Sequence, residues 1–164
     1  MKRHKGRKGG AMSGFVKSIA LTAAIATAII FAAVAAHAGT VKEIFEKYQL
    51  IGTFAWNCAK PANANDNWWY VNRLLDDKHV QRDLMHGPST RSAVIMIDSA
   101  TELKPDEIRV TGMRDGEIAV DNVWHIEKSR MQTWQGIGDT KGKVADGKYV
   151  QTGKAMPWLN RCGS

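Results

Sequence analysis

The sequence predicts a mainly β protein, in which an antiparallel up-and-down meander of about eight strands closes as a small barrel beside one short N-terminal helix. Three observations predict this fold class. Short alternating or apolar segments recur from Thr53 onward and are separated by turn residues, as in an antiparallel meander. Residues 40–50 show the spacing of an amphipathic helix, and the rest of the predicted domain has no second helical pattern of comparable length. The two cysteines, Cys58 and Cys162, lie beside the first predicted strand and at the end of the chain.

The first 38 residues have the three parts of a secretory signal peptide. A basic stretch with six Lys or Arg and no acidic residue precedes the apolar run "IALTAAIATAIIFAAVAA". Ala36 and Ala38 supply the small side chains of a cleavage site, so we predict cleavage after Ala38 and a periplasmic or secreted protein. The apolar run is also close to the length of a bilayer span, so a retained membrane anchor is the alternative. Either Met1 or Met12 fits as the start of this signal.

Most of the excess positive charge lies in this signal segment. The full chain has a formal net charge of +7, but six of its 23 Lys and Arg residues precede Ser18, and all 16 acidic residues follow Ala38. Removal of the segment leaves 17 basic residues (23 − 6) against 16 acidic residues, a net charge of +1. Nucleic-acid binding depends on clustered Lys and Arg, and the remaining sequence lacks such a cluster. We therefore expect no nucleic-acid partner.

Residues 39–164 form one predicted domain, which is long enough to bury a core. Two cysteines in an exported protein most simply form a disulfide, so we predict a bridge between Cys58 and Cys162. For the loop of 104 residues (162 − 58) that it closes, the chain-entropy model gives a stabilisation on the order of 4.7 kcal/mol. First and last strands are neighbours in an up-and-down barrel, so the bridge favours a barrel over a sandwich. Closure also removes exposed edge strands, which invite aggregation.

The predicted helix has a local start signal and a local stop signal. Thr40 is a candidate N-cap, and Glu43 stands where a capping box requires an acid. Gly52 is the predicted end of the helical segment. The apolar face consists of Val41, Ile44, Phe45 and Tyr48.

The strand patterns follow one another with short connections. They are "TFAWNC", "WWYVNRLL", "VQRDLM", "SAVIMID", "IRVTGM", "NVWHIE", "RMQTWQG" and "YVQTG", which gives seven or eight strands. The connections include "DDKH", "GPST", "KPDE" and "RDGE", the last of which contains the Asp-Gly pair favoured in hairpins.

Two registers are open for the hairpin around "KSR", and they place its aromatic side chains differently. A three-residue loop sets Trp124 opposite Trp134, so that both line a cavity for a flat or acyl ligand. A two-residue "KS" loop instead pairs Ile126 with Met131 and turns Trp134 to the other face. We take Trp124, Met131 and Trp134 as candidate ligand-binding residues.

A charged side chain inside the barrel would be a second kind of candidate. Such a charge is costly unless it is paired, and a ligand carboxylate is the natural counter-ion of a guanidinium. We take Arg109 as the first candidate, because its neighbours Ile108 and Val110 take the face opposite to it. The strand arginines considered are Arg73, Arg82, Arg91 and Arg109.

Adjacent Trp68 and Trp69 must point to opposite faces of a strand, so we predict that one of them is available to contact a partner. The three histidines of the predicted domain, His79, His86 and His125, lack the spacing of a metal site. The sequence also contains no known hydrolase nucleophile motif that could act with these histidines. We therefore predict no catalytic residue, no metal and no cofactor.

The segments "GTFAWNC", "VWHIEKSRM" and the closing "NRC", behind a helix, resemble a lipocalin-type small barrel. The spacing from Gly52 to Trp56 is G-x-x-x-W, whereas lipocalins open with G-x-W. Through "GTFAWNC", "NWWYVNR", "DGE" and "MPWLNRCG" in this order, the predicted domain is similar throughout to small exported proteins of alphaproteobacteria. The first resemblance implies a fold and the second implies a location. Neither assigns a role to a residue.

The function we expect is binding of a small apolar or amphipathic molecule inside the barrel, without enzymatic activity. The alternative is a periplasmic protein-interaction module, or an inhibitor of a lytic enzyme or protease, with an envelope protein as its partner. A hydrolase is a third hypothesis, which lacks a supporting motif. A lined void inside the barrel favours the first function, and a packed interior favours the second.

Overall fold

The structure is a computed structural model that describes residues 39–138 and 142–163. The predicted signal peptide and its cleavage after Ala38 lie outside the described residues. Among the residues that are described, no helix has the length and apolar character needed to cross a membrane.

The predicted helix is present as α1, Val41–Lys47. Its capping box is confirmed, because the Glu43 backbone N–H donates to the Thr40 hydroxyl at 3.2 Å and the Thr40 N–H donates to the Glu43 carboxylate at 2.8 Å. The helix ends earlier than residue 50. Gln49 has a φ of 53°, so the backbone has already left the helical conformation before Gly52.

Ten strands follow α1 within the described residues, and each pairs with its neighbours in antiparallel fashion. They are β1 Gly52–Ala55, β2 Trp69–Leu74, β3 Val80–Met85, β4 Arg91–Lys104, β5 Glu107–Arg114, β6 Ile118–Glu127, β7 Arg130–Ile137, β8 Lys143–Ala145, β9 Lys148–Tyr149 and β10 Leu159–Cys162. The predicted strand "SAVIMID" continues to Lys104 and passes through two register shifts. The predicted strand "YVQTG" is mostly turn, and only its Tyr149 belongs to β9.

The predicted barrel is confirmed, and it closes through β10. This last strand pairs with β1 on one side, where Thr53 lies opposite Cys162, and with β7 on the other, where Leu159 lies opposite Met131. The closed ring therefore has eight strands, β1 to β7 and β10. Strands β8 and β9 extend from β7 outside the ring. We call the β7, β10 and β1 pairing the seam.

The predicted disulfide is also present and lies at the seam. Cys58 follows β1, Cys162 ends β10, and their Cα atoms are 5.2 Å apart. The Asn160 side chain supports the same junction by donating to the Trp56 carbonyl at 3.0 Å. The covalent bond and the strand pairing therefore hold the same two segments together.

Helix α1 covers one end of the barrel. Phe45 is 0% exposed, and its ring packs edge-on against Trp124 at a centroid distance of 6.0 Å. Ile108 and Val110, on β5, are also fully buried. The end covered by α1 is therefore packed with side chains, and we call the opposite end the rim.

The hairpin of β6 and β7 has the two-residue loop. Lys128 and Ser129 form the turn, and Ile126 lies opposite Met131. A register shift between Val123 and Trp124 leaves Trp134 without an opposite residue. The arrangement in which Trp124 faces Trp134 is therefore not the one adopted.

We predict that removing the disulfide lowers stability without abolishing the fold. In a Cys58→Ser, Cys162→Ser variant, the free energy of unfolding should fall by about 2–5 kcal/mol, because the unfolded chain regains the freedom of the 104-residue loop. Urea denaturation followed by tryptophan fluorescence measures the change. Wild type with both thiols reduced and alkylated is the matched control. A loss below about 1 kcal/mol would mean that strand pairing alone fixes the seam.

Candidate functional site

A cavity of about 290 Å³ lies inside the barrel, between its middle and the rim. The residues of strand β6 show how the cavity runs through the barrel. Trp124, whose ring contacts α1, lies at the deep end, and Ile118, at the other end of this strand, lies at the rim. Ile118 and Ile137 are 53% and 51% exposed, so the rim is where the cavity meets solvent.

The wall of the cavity is mostly apolar. Its aliphatic and aromatic side chains include Tyr70, Leu84, Ile95, Ile97, Val110, Val120, Trp124, Met156 and Leu159. Asn122 and Thr133 are the uncharged polar residues among those that line it. Two arginines, Arg82 and Arg114, complete the charged part of the wall, and no Asp or Glu occurs among the described lining residues. An apolar cavity with a few placed polar groups has the composition of a small-molecule site.

Arg82 is the charged side chain at the deep end. It is only 5% exposed, and its guanidinium carbon lies 4.3 Å from the ring centroid of Tyr70 and 4.6 Å from that of Trp124. Its Nη1 donates to the Asn72 side-chain oxygen at 3.0 Å. Asn72 in turn donates to the Leu50 carbonyl at 2.7 Å. These contacts fix the orientation of the guanidinium and contribute cation–π attraction.

The alternation of β3 explains why Arg82 points inward. Val80 and Leu84 are buried and have the same parity as Arg82. The adjacent Asp83 takes the opposite face, where Arg73 forms an ion pair with it and Arg91 lies 3.3 Å from its carboxylate. In "VQRDLM", Arg82 alternates in phase with the core residues Val80 and Leu84, and this pattern could have identified it as the inward arginine.

Arg109, the first arginine candidate, lies outside the cavity. Ile108 and Val110 occupy the interior, so Arg109 faces solvent and its Nε donates to Asp121 at 2.8 Å. This hydrogen bond raises the pKa of Arg109 and lowers the pKa of Asp121. An exposed ion pair of this kind adds little stability. The expectation that an inward arginine would be Arg109 is corrected to Arg82.

The three candidates of the β6–β7 hairpin are separated by the structure. Trp124 lines the cavity. Met131 is buried beside Arg82, with 3.9 Å between its sulfur and Nη1, and is not among the lining residues. Trp134 packs on the outside against the His125 ring, at a centroid distance of 5.3 Å. Only one of the three therefore faces the void.

Trp68 and Trp69 are both half-buried. Trp68 stacks on Trp56 with 6.4 Å between ring centroids, and it contacts the His86 ring at 4.4 Å. Trp69 lies at the start of β2, opposite Ala55 and Met85. Partner contact by either tryptophan stays a prediction.

The histidines occupy three separate environments. His79 contacts Asp76 at 2.8 Å in the β2–β3 turn, His86 lies against Trp68, and His125 lies 3.5 Å from Asp106. Within residues 39–138 and 142–163, no group of three or more His, Cys, Asp and Glu side chains could hold a metal ion.

Comparison with known proteins gives no relative. No protein-family model matches the chain, and no curated protein and no solved structure matches it significantly. The cavity is therefore the feature of this chain that bears most directly on its function.

Tyr48, next to the helix-covered end, gives a pH-dependent prediction. Burial, followed by the effect of the Glu102 carboxylate, raises its pKa from 10.0 to about 12. Because the folded-state pKa is raised, this contribution to stability is complete below pH 10 and is lost as the pH rises towards 12. Absorbance at 295 nm follows tyrosinate formation, and the difference between wild type and Tyr48→Phe isolates this residue. Ionisation of Tyr48 at its ordinary pKa of 10.0 would contradict the prediction.

Proposed function

We propose that this protein is an exported, non-catalytic binding protein that holds a small apolar or amphipathic molecule inside its barrel. The observation that carries the proposal is the apolar cavity of about 290 Å³ between Trp124 and the rim. Eight-stranded barrels either fill their interior with side chains or hold one small ligand. Here one end is filled, and the other end retains space with an exposed rim.

The size of the cavity limits the size of the ligand. A cavity of about 290 Å³ lies at the lower end of the size range of small-molecule pockets, so it suits a small ligand of roughly ten non-hydrogen atoms. Burial of apolar ligand surface contributes about 25 cal/mol per Å². A chain of about eight carbons is therefore a suitable probe, and its affinity is expected to be on the order of 10–100 µM.

Two further features support parts of this proposal. The Cys58–Cys162 disulfide is compatible with the oxidising environment outside the cytoplasm, and so with export. The lined void favours ligand binding over the alternative of an interaction module or inhibitor, for which a packed interior was expected. The three histidines lie in separate places outside the lining of the cavity, which supports a binding role over catalysis.

A pair of substitutions on one strand tests the proposal. Val120 lines the cavity, whereas Val123, three residues along β6, lies opposite the outward-facing Arg109. Val120→Phe should weaken binding of 1-octanol about tenfold or more, because the phenyl ring is larger than the valine side chain and occupies space that the ligand needs. Val123→Phe should leave the affinity within about twofold of wild type. Isothermal titration calorimetry gives the affinities, and quenching of tryptophan fluorescence gives a second signal.

Thermal unfolding of both variants provides the control for folding. Absence of any binding of 1-octanol to folded wild-type protein, or equal weakening by both substitutions, would contradict a ligand site in the barrel.

A further inference from the structure

We propose that the barrel selects an uncharged ligand with a carbonyl oxygen, and that the side-chain amide of Asn122 donates a hydrogen bond to this oxygen. Ketones, aldehydes and esters of medium chain length form this chemical class. The inference rests on the proposed function, and it adds the class of the ligand and the residue that recognises its polar group.

Asn122 occupies an inward position of β6 among apolar side chains. Val120 and Trp124, two residues before and after it, line the cavity, as Asn122 itself does. It lies opposite Val110, which is fully buried, and is itself only 9% exposed. A buried amide is unfavourable unless its donors and its acceptor are hydrogen-bonded. We therefore expect a partner for each end of this amide.

The oxygen of the amide has its partner in the protein. Oδ1 accepts a hydrogen bond from the Ile137 backbone N–H at 2.8 Å. The amide nitrogen is itself a donor and could not accept from an N–H, so this contact identifies which end of the amide is the oxygen. Gly136 gives the amide its room, because a Cβ at this residue would overlap Oδ1. The amide is therefore held in the wall in one orientation.

The nitrogen of the amide is left for a ligand. Within residues 39–138 and 142–163, no group accepts a hydrogen bond from Nδ2 of Asn122. Nδ2 is the other branch of the planar amide, directed away from the contact between Oδ1 and Ile137. Because Asn122 lines the cavity, its two N–H groups can donate into the void. An oxygen acceptor on the ligand would satisfy them.

A carbonyl suits this donor better than a hydroxyl does. A carbonyl oxygen only accepts hydrogen bonds, so an N–H donor is all that it requires of an otherwise apolar wall. A hydroxyl brings an O–H that needs an acceptor of its own, and Oδ1 of Asn122 already accepts from Ile137. An alcohol should therefore gain less than a ketone in the same cavity.

Two ligands of equal size test the inference. The carbonyl oxygen of 2-octanone is replaced by a methylene in 2-methyl-1-octene, and the rest of the two molecules is the same. The full chain with its disulfide formed is equilibrated with each volatile ligand, and headspace gas chromatography gives the free concentration and hence the dissociation constant. The ratio of the two dissociation constants measures the preference for the ketone. A substitution that only alters the shape of the cavity affects both ligands and leaves this ratio nearly unchanged.

Substitution of Asn122 should change the ratio. Asn122→Leu should lower the preference for 2-octanone about tenfold, because an apolar side chain of similar size leaves the carbonyl without its donor. The affinity of this variant for 2-methyl-1-octene should stay within about threefold of wild type.

Thr133→Val is the matched control. Thr133 also lines the cavity, lies opposite Trp124 and is half-buried. Its hydroxyl can rotate, so it offers no donor of fixed direction. Thr133→Val should keep the preference within about twofold of wild type.

Thermal unfolding shows whether each variant folds. If Asn122→Leu does not fold because the Ile137 N–H has lost its acceptor, Asn122→Asp replaces it. The aspartate retains an oxygen for Ile137, but its ionised carboxylate has no N–H to donate. The preference for the ketone should therefore be lost in this variant as well.

The outcomes separate this inference from the function on which it rests. An unchanged preference in the folded Asn122 variants, with 1-octanol still bound, would overturn the inference and leave a barrel for apolar molecules. Loss of the preference in Thr133→Val but not in the Asn122 variants would overturn the assignment to Asn122. If folded wild-type protein bound neither 1-octanol nor the two test ligands, the proposed function and this inference would both fail.

Discussion

The double pairing of β10 is the interaction on which the rest of the structure depends. Without this four-residue strand, β1 and β7 would be open edges, and the sheet would have no enclosed interior. The Arg161 N–H donates to the Ser129 carbonyl at 2.8 Å, so β10 also contacts the β6–β7 turn. Leu159 of the same strand lines the cavity. The strand that closes the barrel therefore also completes the candidate site.

Because the barrel is closed, each polar side chain of a strand lies either in the interior or on the outer face. Arg82 and Asp83 are adjacent, yet one faces the interior and the other faces Arg73 and Arg91 outside. A buried guanidinium is unfavourable unless polar and aromatic contacts offset its lost hydration. Asn72 and the rings of Tyr70 and Trp124 provide such contacts.

The local features of the fold were predictable from the sequence, whereas the features that depend on pairing were less so. The capping box at Thr40 and the cysteine positions carry their signals in a few residues, and both predictions are confirmed. The face that Trp134 takes depends on the length of the β6–β7 loop, which the sequence left open between two and three residues. Within the cavity, the sequence indicated Trp124 but ranked Arg109 above Arg82. The parity needed to reverse that order was present, since Arg82 alternates in phase with Val80 and Leu84.

Trp124 connects the two ends of the barrel. Phe45 of α1 packs against its ring from the covered end, and the Arg82 guanidinium lies over the same ring. The helix therefore supports the deep wall of the cavity as well as covering the barrel. Because interiors are close-packed, the position of this ring is set by both contacts together. The hydrogen bonds of a short amphipathic helix contribute little stability by themselves. Helix α1 is therefore held in position mainly by its packing against the wall of the cavity.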